Sequence, residues 1–469
     1  MLKMIHGKIK DRDQWDDMDA PIRMTEESAP QQSEKEAVPM SRACWPAPFL
    51  PGLEYNSPAH GTWNIVHTGM LLPEAHQIYV CAANCNRGVV LTAAEMNARD
   101  RFSYIEVLEE DIYNGNMENL VIDGVEEILS RLERKPRIVL LFTVCLHHFM
   151  GVDLSYIYEE LRRRCPEQFF VDCYMDCIMQ KEGLTPDQKL RIKLFDILEK
   201  KRENPRLMNI VGSDLPLQED AEIKSLLQKA GWSFLDLSEG LTFEDYLSMG
   251  SGSVNLCVYP PGRPGMDRLS EKLGIPGLYL PMSWDYHKTD RQLQEMMETM
   301  GLDGRPDDLI PLRERKEECQ KALKDLSRKL EGWNLALDAS ATPHVLAFAR
   351  LLVSHGIRVS HIYADAFLPE EKDDFDWLRE NEPDILICSV IHHNMRVRPR
   401  TGGENVLAVG QKAAYFHQTG HFVDMVEGGG LHGYAGILSM AALIREAMEE
   451  NKPIEDRIRR KGMGCACCL

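Results

Sequence analysis

Residues 106–164 read EVLEEDIYNGNMENLVIDGVEEILSRLERKPRIVLLFTVCLHHFMGVDLSYIYEELRRR. Within 116–134, Leu120, Val121, Val125, Ile128 and Leu132 fall on one face of a helix. Pro136 ends that helix, and RIVLLFTVC at 137–145 is an unbroken apolar, β-branched run, as expected of a strand covered on both faces. DLSYIYEELRRR at 153–164 returns to helical spacing. Upstream, AHQIYVCAA (75–83) reads as a strand and VVLTAAEMNARD (89–100) as a helix. Strand, helix, strand, helix predicts a parallel α/β sheet.

Outward from this stretch the pattern restarts twice. RLMNIVGSD (206–214) is a strand, followed by the helix EDAEIKSLLQKAG, and VNLCVYP (254–260) and PGLYLPM (276–282) are strands around the helix GMDRLSEKLG. WNLALDAS (333–340) opens a third unit, with helix HVLAFARLLVSHG, strands RVSHIYAD and PDILICSV (383–390), and the closing amphipathic helix GLHGYAGILSMAALIREAMEEN. The reading is three α/β units at 41–205, 206–332 and 333–450, with a charged helical linker at 302–332. A polar arm, flexible or wrapped on a partner, occupies 1–40, and a basic, then Cys-rich tail occupies 451–469. Such units place ligands where loops leave the carboxyl ends of the strands.

The composition agrees. A chain of 469 residues has room for about three domains. Its 73 Asp+Glu against 54 Lys+Arg give a formal charge of −19, the wrong sign for a nucleic-acid binder. No apolar run approaches the roughly 18–20 residues of a membrane span, and the first residues lack a signal-peptide core. The expectation is a cytoplasmic protein with neither nucleic acid nor membrane as partner.

Thirteen cysteines, an odd number in a long chain, argue against a disulfide framework, and none has paired CxxC zinc spacing. They are buried small apolar residues or ligands that converge in the fold. Cys44, Cys85 and Cys145 fall at predicted loop positions of the first unit, and the carboxyl-end rule puts Cys85 and Cys145 on one sheet edge. Thiolates converging from separate loops are the ligands of iron–sulfur clusters, but spacings of about 41 and 60 residues carry no local motif.

A resemblance adds to this. Glu109, Asp111 and Gly115, then Thr143 and Cys145, then Gly151 and Asp153 follow the order of motifs in nitrogenase component 1 proteins. NIVG at 209–212, the GIP of 274–276 and HGYAG at 432–436 continue that order, so the resemblance covers about 41–450. It implies three Rossmann-like parallel-sheet domains and an iron–sulfur cluster, four-iron or larger and P-cluster-like, at a subunit interface. It also implies a homo-oligomer or a pairing with a homologous subunit. Electrons would come from an ATP-dependent iron–sulfur reductase, the iron protein, and a larger cofactor often lies in the interdomain cleft. Cys44, Cys85 and Cys145 stand where the family has its cluster ligands. Cys81 is a candidate fourth, and Cys257 lies near the family's cofactor cysteine. The family's cofactor histidine has no clear match, His417 and His421 only lying near it, which argues against a molybdenum–iron cofactor and against dinitrogen reduction.

Other candidates divide between chemistry and ordinary surface. His147 and His148 could donate protons near a cluster or simply start a helix. Arg263, Arg396, Arg398 and Arg400 could line an acidic-substrate site or be solvated loop charges. His392 and His393 follow a strand end, and Gly428–Gly430 form either a close backbone approach or a turn. The chain has no GxGxxG or GxxxxGK[ST] loop, so ATP use falls to a partner. Cys465, Cys467 and Cys468 form a terminal cluster that either handles metal or has no fixed role. Cys173, Cys177 and Cys319 are expected to be dispensable. The expected function is a nitrogenase-like reductase subunit working under anaerobic conditions, with a non-catalytic scaffold for metallocluster assembly as the alternative.

Overall fold

The computed structural model describes residues 32–55, 65–175, 183–399 and 405–454. Calls on Cys177, Arg400 and the Cys465–Cys468 tail lie outside them. The chain is mixed α/β, built on three sheets of mainly parallel strands. The first has the order β3-β2-β4-β5, with β2 Ala75–Cys81, β3 Phe102–Glu106, β4 Ile138–Val144 and β5 Phe169–Met175. Every residue of β4 is buried, so the 137–145 run is covered on both faces. Fully burying each Val, Leu, Ile or Phe contributes about 1.5–3 kcal/mol. Helices Met117–Arg131 and Leu154–Arg164 pack side by side on one face, with Val121, Val125, Ile157 and Leu161 against Ile78, Val139 and Leu141.

The second sheet runs β7-β6-β8-β9, with β6 Leu207–Val211, β7 Ser233–Asp236, β8 Val254–Cys257 and β9 Gly277–Tyr279. The third runs β1-β12-β11-β10-β13-β14. Its strands are β1 Ala37–Pro39, β10 Asn334–Asp338, β11 Val359–Tyr363, β12 Leu386–Cys388, β13 Val406–Val409 and β14 Phe422–Val423. All are parallel except β1, which pairs antiparallel with β12 in the register Val38↔Ile387.

Two placements differ from the sequence reading. Residues 37–50 attach to the third unit. Met40 donates its N–H to Ile385 O at 2.7 Å, Ala43 is buried, and the Trp45 ring stacks on Phe367 at 6.2 Å. The physical reason is the exposed ladder of β12, whose unpaired N–H and C=O groups β1 satisfies. The 302–332 stretch is more than a linker. Helix Leu312–Lys329 buries Cys319, Leu323 and Leu326 against the final helix, Gly433–Glu449. Between them the Cys319 thiol donates to Tyr434 O at 3.3 Å.

Candidate functional site

The sequence placed Cys85 and Cys145 in loops; both instead occupy the first turn of a helix. β2 ends at Cys81, the chain is extended at Ala82, and helix Ala83–Glu95 begins there, Cys85 donating its N–H to Ala82 O at 3.0 Å. β4 ends at Val144, also extended, and Cys145 is the first residue of the short helix Cys145–Phe149. β2 and β4 are adjacent and parallel, in the register Tyr79↔Phe142, so both helices leave the same carboxyl edge. Neighbouring strands lie about 4.8 Å apart. Cys85 is exposed and Cys145 half-buried.

Around this edge large apolar side chains face solvent: Val90 in the Cys85 helix, Leu108 and Tyr113 just past β3, and Phe149 and Met150 just past Cys145. His147 is buried beneath the turn, its Nδ1 3.2 Å from the Val144 N–H. His148 lies 6.1 Å from the Tyr174 ring.

Of the other candidate cysteines, Cys81 ends β2 at this same edge but is packed in the core. Cys81 is buried and its thiol donates to Asn86 Oδ1 at 3.1 Å; burial pushes it up to about 12. Cys257 is buried at the end of β8, donates to Tyr259 O at 3.2 Å, and is likewise pushed up to about 12 by burial. Cys44 is half-buried on the third unit, 3.7 Å from Trp45 O. Among the described residues no three His, Cys, Asp or Glu side chains gather as a metal site, so Cys44 does not form one group with Cys85 and Cys145.

A second constellation, which the sequence reading missed, joins the three units. Arg191, 1% exposed, donates from Nε to Asp187 at 2.9 Å, from Nη1 to Gly212 O at 2.9 Å, and from Nη2 to both Asp214 oxygens at 2.9 Å. Thr68, from the first unit, donates to Asp187 at 2.6 Å. The Tyr259 ring lies 5.7 Å from the guanidinium, and its hydroxyl donates to Glu427 of the third unit. Asp187 and Arg191 share one helix face, Pro186–Lys193. The i,i+4 spacing was visible, but in sequence it looks like a solvated pair.

Tyr259, Glu427, Ser213, Trp284 and His344 line the narrow cleft between the second and third units. Gly430 closes one side at φ +70°, where a Cβ would come within 2.1 Å of Pro216 O. Cys257 Sγ is not among the lining groups; it packs behind Gly212, 2.8 Å from where a Cβ there would sit. His417 and His421 lie elsewhere, against His361 at 4.5 Å and Trp333 at 5.1 Å between ring centroids. The donor set of this cleft therefore does not fit a metal cofactor held by a cysteine and a histidine. His392 and His393 stack on each other at 4.3 Å, and Arg263 lies 4.7 Å over the Tyr279 ring.

No helix in the described residues is long and apolar enough to cross a membrane. The family model of nitrogenase component 1 type oxidoreductases matches residues 73–449, well over half of the chain, leaving Cys44 outside the match. Comparison with curated proteins gives no match. Among solved structures, nitrogenase Cp1 at pH 6.5 is similar at 15% identity with a TM-score of 0.63, over 88% of this chain and 95% of that one. Nitrogenase Cp1 at pH 5 is similar at 12% identity with a TM-score of 0.57, over 89% of this chain and 95% of that one. At these identities the likeness is one of fold. Matched along about four-fifths of its length and folded alike, the chain belongs to the nitrogenase component 1 type oxidoreductases.

Proposed function

We propose that this chain is the cluster-bearing subunit of a nitrogenase-like reductase. Cys85 and Cys145 would hold an iron–sulfur cluster at the carboxyl edge of the first sheet, with further thiolates from a partner subunit. The observation that carries this reading is the emergence of one exposed and one half-buried thiol from adjacent strand ends, with exposed apolar side chains in the segments that follow. The donors fit thiolate chemistry, but two are too few to close a cluster, and an apolar rim of this kind suits a covering subunit. Cys81 is the less suited fourth ligand, because its thiol is buried and already bonded to Asn86.

When bound, the cluster would supply one-electron transfer between an ATP-hydrolysing iron protein and a substrate. The chain's own residues position the thiols, exclude water with the apolar rim, and fix the edge through the fully buried β4. The strongly acidic surface makes docking of the iron protein dependent on a local complementary patch and on salt.

The test is iron and sulfide analysis of anaerobically purified protein, wild type against Cys85→Ala and Cys145→Ala. Brown, iron-containing wild type and iron-poor variants are the expected result, and colourless, iron-free wild type overturns the reading. Re-reduction of the centre only with ATP and the iron protein marks the reductase, whereas cluster transfer to an apoprotein marks the assembly scaffold.

A further inference from the structure

On the face of the third sheet turned away from the main core, five polar groups meet that the proposed reaction does not use. His361 and Tyr363 stand on β11, and Cys388, paired with Tyr363, on β12. Tyr363 and Cys388 pack in one small cluster while their neighbours Ile362 and Ile387 face the main core. His417 ends helix Gln411–His417, and Arg398 follows the turn His393–Arg396. The His361 and His417 rings lie 4.5 Å apart at 79°, and the Tyr363 ring is 5.7 Å from His417.

The Arg398 guanidinium sits among them. Its charge bears on His361, His417, Tyr363 and Cys388, and it hydrogen-bonds with the Cys388 sulfur. Two nitrogens there have no partner: Nε2 of His417, a residue 7% exposed, and the buried Nη1 of Arg398. Burial and the Arg398 charge push His361 down to about 4; burial, then His361 and Arg398, do the same to His417. Both rings are thus neutral near pH 7; His361 Nδ1 already meets Ser360 Oγ at 2.9 Å, while His417 Nε2 is unpartnered. Among the described residues no carboxylate forms an ion pair with Arg398. A partly buried cation without a counter-charge, beside an unpaired buried nitrogen, is costly unless an acceptor arrives.

We infer that this polar cluster binds a small oxyanion, a phosphate or a carboxylate, bridged between Arg398 and His417. The planar guanidinium fork matches the two oxygens of either group. The site lies on the opposite face of the third sheet from the main core and involves neither the edge cysteines nor the Tyr259–Glu427 cleft.

The test is calorimetric titration of the full-length chain, in low-salt buffer, with inorganic phosphate and separately with acetate. One site per chain is expected for at least one anion, weakened tenfold or more in Arg398→Gln and His417→Gln, and less in Arg398→Lys. The two arms separate a phosphate site from a carboxylate site. Wild type that binds neither anion at millimolar concentration overturns the inference, as does binding that Arg398→Gln and His417→Gln leave unchanged. Circular dichroism checks that each variant is folded. Should Arg398→Gln not fold, the wild-type titration and His417→Gln decide.

Discussion

The carboxyl edge of the first sheet and the cleft between the second and third units are both strand-end sites, yet they are finished in opposite ways. At the first, Cys85 is exposed and Cys145 half-buried, with Leu108, Tyr113, Phe149 and Met150 exposed in the segments that leave the same edge. At the second, polar groups from different units are already satisfied by one another: Arg191 by Asp187 and Asp214, Tyr259 by Glu427. An apolar, thiol-bearing edge gains from being covered, because covering removes apolar surface from water. A buried ionic network gains nothing from a newcomer and holds its own walls together instead. The edge is thus left with apolar surface to cover, while the buried polar network ties the units together.

The comparison is broken or sharpened most strongly at the edge. Cys145→Ala and Cys85→Ala should each lose most of the iron from anaerobic protein, while the melting temperature of the iron-free chain changes little, since removing an exposed or half-buried thiol shifts stability by about 0.5 kcal/mol. Retention of full iron in both variants would move the ligand set elsewhere.

At the cleft the expected loss is one of stability. Arg191→Met leaves Asp187 and Asp214 buried without their cation, at a cost of about 3–5 kcal/mol. Its urea midpoint should drop well below that of wild type, with iron retained by whatever protein stays folded. An unchanged midpoint would mean that the network does not hold the units.

Acid probes the same junction. His432 is fully buried and its Nε2 meets Leu280 O at 2.9 Å, joining the final helix to the segment after β9. Burial pushes the ring down to about 4 from an ordinary 6.5. The unfolded chain therefore binds the proton more readily, so this contribution is complete above pH 6.5 and is lost as the pH falls towards 4. The loss reaches roughly 2–3 kcal/mol by pH 4. Urea midpoints at pH 7 and pH 4 should converge more closely in His432→Asn than in wild type; parallel pH profiles would remove His432 from the account.

Smaller effects follow. Tyr259→Phe leaves a buried carboxylate short of one donor, which costs about 1–3 kcal/mol. Cys319→Ala removes one buried sulfur between two helices, for about 1 kcal/mol. Neither should change iron content. Iron lost from Cys319→Ala would contradict its place in the core, remote from the edge thiols.

The readings from sequence succeed or fail for physical reasons that particular elements show. Strands β2, β4, β6, β8, β10 and β11 have a neighbouring strand on both sides and are mostly buried, so their apolar residues, interrupted by few polar ones, read directly. FSYIE of β3, FFVDCYM of β5 and SFLD of β7 form sheet edges, where one side is free of a neighbour and polar residues interrupt the run. The same openness hid β1, which binds β12 across about 350 residues of chain. At the site, the shared edge of Cys85 and Cys145 follows from strand order alone. The attachment of Cys44 to the third unit does not, because it depends on which sheet offers an unpaired ladder.

The sequence by itself determined the alternation of elements, the three-unit α/β architecture and the family, since these rest on periodic burial and on residues close along the chain. Tertiary structure alone decided that Arg191, Asp187 and Asp214 are a buried tie and not solvated charges. It alone decided that Tyr259 reaches Glu427, and that Arg398 meets His361 and His417. A charged side chain looks the same in sequence whether water or a distant residue solvates it, and only the folded arrangement chooses between the two.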